Sequence, residues 1–95
     1  MVKLYYGNGY CTVDGEGIDI AGVEIRYTGA ISIIDNTPSE YSILASDKKI
    51  LIVPMILPKN IFLSNLFTYK GELKIKNIII SDKHAQSLDT NIHKI

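Results

Sequence analysis

Few side chains in this sequence have the reactivity that catalysis draws on, and nothing in their spacing brings them together. Cys11 is the single cysteine, and the two histidines, His84 and His93, stand near the opposite end of the chain. A thiol nucleophile needs an imidazole within hydrogen-bond reach and a further group to orient it. Tyr10, Thr12 and Val13 beside Cys11 supply neither. A lone cysteine also excludes an intramolecular disulfide and a four-thiolate metal site, which leaves a free, packed thiol. Asp14, Glu16 and Asp19 crowd one acidic turn. Calcium loops of the EF type place oxygen ligands at positions 1, 3 and 5 ahead of their glycine, and the fifth position here is Ile18, so the turn reads as solvated. Gly7-Asn8-Gly9 lacks the Lys-Ser/Thr and the helix of a phosphate loop, and no strand–helix unit follows Gly15 and Gly17. The expectation is a non-enzymatic chain with no catalytic residue, no metal site and no cofactor.

Binding chemistry has two candidates. The first is Tyr69, Lys70, Lys74 and Lys76, because small β-barrels grip single-stranded nucleic acid by stacking bases on aromatic rings along a basic groove. Against it, ten cationic side chains balance ten acidic ones and Arg26 is the only arginine, which argues against a dedicated nucleic-acid binder. The second is residues 54–69, where Met55, Ile56, Leu57, Ile61, Phe62, Leu63, Leu66 and Phe67 crowd a segment with one charge, Lys59. Connecting segments are normally polar because they run over the surface. This one either plugs one end of the core or is an interface built from those eight side chains. Charge is also uneven along the chain. Residues 1–47 carry seven acids against Lys3 and Arg26, a net −5, and residues 48–95 carry eight lysines against three acids, a net +5. Mixing of the two halves in the fold would erase this asymmetry, which is the expectation; kept apart in space, such halves suit head-to-tail contacts.

The elements that must position these residues are strands. Seventeen of the 95 residues are isoleucine, and branching at Cβ suits the pleated surface of a sheet. Val23-Glu24-Ile25-Arg26-Tyr27-Thr28 alternates as a half-buried strand requires. Asn8-Gly9 marks a tight hairpin between Val2-Lys3-Leu4-Tyr5-Tyr6 and Tyr10-Cys11-Thr12-Val13. Gly29 reads as a turn after which Ala30-Ile31-Ser32-Ile33-Ile34-Asp35 runs back. Ile50-Leu51-Ile52-Val53 and Ile78-Ile79-Ile80 are apolar on both faces, as in strands covered on both sides. Asn60 reads as the cap of one helical turn over residues 61–67. The sum is one domain, residues 1–95, of the all-β class: a small antiparallel β-sandwich or barrel of about eight short strands. Its expected core is Val23, Ile25, Tyr27, Ile31, Ile33, Ile43, Ile50, Ile52, Ile75, Ile78 and Ile80, with both chain ends paired into sheets or held by a neighbouring chain. The longest apolar run, residues 50–57, contains Pro54 and is far short of the ~20 residues of a spanning helix. Met1-Val2-Lys3 opens no secretion signal, so synthesis in the cytoplasm without a membrane partner is expected.

Leu4-Tyr5-Tyr6-Gly7-Asn8-Gly9, Gly22-Val23-Glu24-Ile25-Arg26-Tyr27 and Leu66-Phe67-Thr68-Tyr69-Lys70-Gly71-Glu72-Leu73 together resemble small β-rich virion proteins of tailed bacteriophages. The resemblance covers most of the chain and contains no specific motif. It implies a structural role in a head, neck or tail, made in the host cytoplasm and carried in the virion, with copies of itself or other virion proteins as partners. The alternative is a small β-barrel binding module for nucleic acid, protein or sugar.

The two readings of residues 54–69 part at Phe62. As an interface residue, Phe62→Asp leaves the chain folded and abolishes assembly; as a core plug, it unfolds the chain. Circular dichroism melts beside sedimentation of the same variant decide between them.

Overall fold

Val23, Ile25 and Tyr27 face the core and Glu24, Arg26 and Thr28 face away, because successive side chains of a strand alternate. This strand, β3 (Gly22–Thr28), lies at the centre of one of two five-stranded sheets in the computed structural model, which describes residues 2–15, 17, 20–34, 41–54, 65–82, 84 and 86–95. Around it are β1 (Val2–Gly7), β2 (Tyr10–Asp14), β4 (Ile31–Ile34), β5 (Tyr41–Ser46), β6 (Lys49–Pro54), β7 (Asn65–Gly71), β8 (Lys74–Ser81), β9 (Ser87–Leu88) and β10 (Thr90–Lys94). Sheet A has the order β10-β1-β2-β7-β4 and sheet B the order β5-β6-β3-β8-β9. Among the described residues there is no helix, so the all-β class holds. The two sheets form a sandwich, not a closed barrel.

One bent ribbon belongs to both sheets. In sheet B, β3 pairs with β8 up to Thr28 opposite Lys74; in sheet A, β4 pairs with β7 from Ile31 opposite Gly71. Three residues forward on one strand match three residues back on the other, so the register is kept through the corner. Gly29 (φ +108°) and Gly71 (φ +103°) make the bend, in backbone conformations that side chains rarely adopt. A Cβ on Gly29 would overlap the Glu72 carbonyl oxygen, and one on Gly71 that of Ala30. The Glu72 amide donates to the Ala30 carbonyl at 3.2 Å, which carries the ladder across the bend. Gly29 therefore does not reverse the chain as a hairpin turn. It passes the strand to the other sheet.

The remaining strands grow from this ribbon. β2 joins β7, and β1 joins β2 through the Asn8-Gly9 turn, whose φ values of 50° and 84° are those expected of a tight hairpin. β6 joins β3, and β5 joins β6 through Asp47-Lys48. β9 and β10 switch sheets at Asp89, whose carbonyl accepts from the Val2 amide at 3.1 Å. β10 then runs parallel to β1, the one departure from the antiparallel pattern among these ladders. Both ends of the described chain are thus paired with each other.

All eleven expected core residues lie in the core or pack against it. Sheet A adds Val2, Leu4, Tyr6, Cys11, Val13, Leu66, Phe67 and Tyr69. Two expectations are corrected. Asn65, Leu66 and Phe67 are strand, not the end of a helical turn, because they ladder with β2; residues 60–64 lie outside the described residues. Val53 and Ile79 face solvent, so neither apolar run is covered on both sides. Each sheet takes strands from both halves of the chain, so the uneven charge of the sequence is interleaved, as where Lys49 pairs with Glu24.

Gly29→Ala and Gly71→Ala each combine a strained φ with a backbone clash, and each is expected to lower the melting temperature by roughly 10 °C, for a loss near 2 kcal/mol. Gly17→Ala keeps a positive φ in open surroundings and is expected to cost about half as much. Equal losses at all three positions would remove the corner contact from the argument.

Candidate interaction surface

The outward face of sheet B carries side chains that an outer sheet face normally lacks. Register sets them in rows. Leu44 of β5 lies opposite Leu51 of β6, Leu51 opposite Glu24 of β3, and Glu24 opposite Ile79 of β8. On one side of this row Ser42 lies opposite Val53 and Gly22 opposite Ser81; on the other, Ser46, Lys49, Arg26 and Asn77 form a polar row. Leu44 is 58% exposed, Ile79 42% and Val53 38%. Outward positions of an antiparallel sandwich alternate with the core and are usually polar. Four apolar side chains clustered there make a patch of the kind that marks contact with another molecule.

Within the patch, Glu24 is held between two cations. Lys49 Nζ is 3.0 Å from one carboxylate oxygen and Arg26 Nε 3.9 Å from the other. Such partly exposed pairs contribute little stability, about 0.2–1 kcal/mol, but they neutralise the one acid in the apolar row. A shallow cleft of about 260 Å³ opens over Gly22 between Val53, Leu51 and Ile79. Glycine makes this dip, because a Cβ there would press against Ser81 Oγ at 3.1 Å.

The patch runs to an open edge. Among the described residues no strand ladders with the outer side of β5, or with the outer side of β4 in sheet A. β5 reads Tyr-Ser-Ile-Leu-Ala-Ser and β4 Ile-Ser-Ile-Ile, with no charge and no proline in either. The β5–β6 register is regular from Tyr41 to Ser46, without a bulge. Edge strands usually carry a lysine, a proline or a bulge that blocks pairing with another chain; β5 has none. Two tyrosines hold it in place. The Tyr41 hydroxyl donates to the Ile20 carbonyl at 2.6 Å and the Tyr27 hydroxyl to the Ser46 carbonyl at 3.4 Å.

The residues expected to form an interface fall elsewhere. Met55, Ile56, Leu57, Ile61, Phe62 and Leu63 lie outside the described residues. Leu66 and Phe67 are consecutive and both buried, where the ladder with β2 shifts register between Phe67 and Asn65 and passes over Leu66, and they present no surface. Of the nucleic-acid candidates, Tyr69 is buried with its ring 6.1 Å from that of Phe67, so it is no stacking platform. Lys70 is exposed on sheet A, and Lys74 and Lys76 are exposed on sheet B beyond the Gly71 corner, with Glu72 between Lys70 and Lys74 in the chain. Leu44, Leu51, Val53 and Ile79 carry the patch instead. Their signal was the run of apolar residues in sheets that otherwise alternate.

The reactive side chains stay apart. Cys11 is fully buried opposite Tyr6 and Phe67, and desolvation pushes its thiol up to about 12 from an ordinary 9.0. His84 stands exposed in a turn whose Asp82 carboxylate accepts from the His84 and Gln86 amides at 2.9 and 3.0 Å, which holds that carboxyl below its usual range. His93 is on β10, stacked on Tyr5 at 5.1 Å. Among the described residues no group of acids, histidines and cysteine is placed to hold a metal ion, and Glu16 and Asp19 of the acidic turn lie outside them. No family model, curated protein or solved structure matches the chain.

Burial of Cys11 has a pH signature. A thiol whose folded pKa is raised contributes its full stability below about pH 9 and loses it progressively as pH rises toward 12. Native protein is expected to resist alkylation at pH 8 and to react only when unfolded, while Cys11→Ser flattens part of the alkaline decline. Rapid labelling of the folded chain would place Cys11 outside the core.

Proposed function

We propose that this chain is a non-enzymatic structural module that works through strand-edge and sheet-face contacts with copies of itself or with other subunits of a larger assembly. The observation that carries this reading is the uncharged open edge of β5 beside the outward apolar row of Leu44, Leu51 and Ile79. A fold of this size gains nothing for its own core from apolar side chains on the outside. Covering them removes apolar surface from water at about 25 cal/mol per Å². The particle suggested by the resemblance is the head, neck or tail of a tailed bacteriophage, where such a module is covered by its neighbours.

Two measurements test the reading. Peptides of this chain are expected in purified virions at a fixed ratio to the other structural chains; their confinement to the soluble lysate would overturn the placement in a particle. Sedimentation of the isolated chain is expected to show species heavier than 10.6 kDa that grow with concentration. A chain absent from particles and monomeric at all concentrations would end the assembly reading altogether.

A further inference from the structure

Resting on the assembly reading, we propose that β5 of one copy pairs antiparallel with β5 of a second copy about a two-fold axis at Leu44, joining two five-stranded B sheets into one continuous sheet. The register follows from the strand itself. Ser46 and Lys49 close a two-residue hairpin, and in such a hairpin the closing pair exchanges both hydrogen bonds and the pattern then alternates. Ser46, Leu44 and Ser42 therefore bond inward to β6, and Ile43 and Ala45 turn their amides and carbonyls to the open edge. With Leu44 on the axis, Ile43 of each copy meets Ala45 of the other, and the two pairs exchange four hydrogen bonds.

Side chains agree with this register. Across the joint Leu44 meets Leu44, Ser42 meets Ser46, and Ile43 meets Ala45. The outward row becomes Ile79, Glu24, Leu51 and Leu44 followed by its own mirror, one apolar stripe through the axis. The inward row joins Ile52 and Ile43 to the second copy's Ala45 and Ile50. No like charges stand opposite each other, because residues 42–46 carry none. Shifting the axis to Ile43 or Ala45 sets Leu44 against a serine, and a shift by one residue turns one core to solvent. The strand is already fixed by its ladder with β6 and by the Tyr27 hydroxyl at Ser46, so little order is lost on pairing. Five residues per copy make an interface below the standard size of about 1,200–2,000 Å², so the pair is concentration-dependent.

Leu44→Cys tests the axis. Residues directly opposite in a pair without mutual hydrogen bonds lie close enough for a disulfide, and buried Cys11 does not compete. Under mild oxidation Leu44→Cys is expected to form covalent dimers at least about tenfold faster than Ile79→Cys, which is exposed on the same row but away from the axis. Leu44→Lys, with an unchanged melting temperature, is expected to weaken self-association about tenfold, and mixing it with Leu44→Glu to restore it. Self-association that ignores both substitutions overturns this proposal and leaves the assembly reading standing. A chain that is monomeric alone, with Leu44→Cys no faster than the control, overturns it too, and incorporation into particles then decides the assembly reading separately.

Discussion

The backbone-to-backbone contact at Gly29 and Gly71 fixes everything else in this fold. Two strands cross there without losing register, so one ribbon supplies the β3–β8 ladder of sheet B and the β4–β7 ladder of sheet A. The angle between the sheets, and hence the space for the core, is set by how closely two peptide units approach. Only glycine allows that approach at a positive φ. Tyr27 and Ile75 lie on the sheet B side of the bend and Ile33 and Tyr69 on the sheet A side, opposite one another in each ladder. Packing is then added outward from the ribbon, strand by strand.

The same corner decides which edges stay open. The β5–β6 hairpin reverses at Asp47-Lys48, where the Tyr27 amide donates to the Lys48 carbonyl at 3.0 Å, one residue short of the end of β3. β6 begins there at Lys49 and has no extension past the bend, so β4 is left with β7 alone. β5, the outermost strand of sheet B, is likewise paired on one side. The opposite margin is different. There the chain passes directly from β9 to β10 at Asp89 and ties the two sheets together. The sandwich has one margin stitched by the chain and, among the described residues, one ending in two strands that no further strand ladders with.

How far this was legible in the sequence depends on the range of the physics involved. Alternation is local, so Val23, Ile25, Tyr27, Ile50, Ile52 and Ile80 could be placed in the core from their spacing. The Asn8-Gly9 hairpin was equally readable, since its φ requirement is met within two residues. Gly29 was not. A glycine at positive φ serves a reversing turn and a sheet-switching bend alike, and only Gly71, far along the chain, tells them apart. The apolar runs failed for a related reason. Leu51, Val53 and Ile79 are apolar on the second face of their strands, and a sequence does not distinguish a face covered by the same chain from one left for another. The burial of Leu66, Phe67 and Tyr69 depended on β7 pairing with β2, again a distant partner.

That last ambiguity is also the strongest argument about function. Ser42, Leu44 and Ser46 point outward on an edge strand, where the fold places no demand on them. A single lysine at any of these positions would protect the edge and leave the core untouched. Among the described residues nothing covers the neutral edge or the apolar outer row, and the proposed pairing with another chain would account for both. Among the described residues the thiol is buried, the two histidines stand apart and Tyr69 is packed against Phe67. Under the proposed function, what the molecule would offer a partner is backbone hydrogen bonds and a strip of apolar side chains, the two things a sheet needs in order to continue.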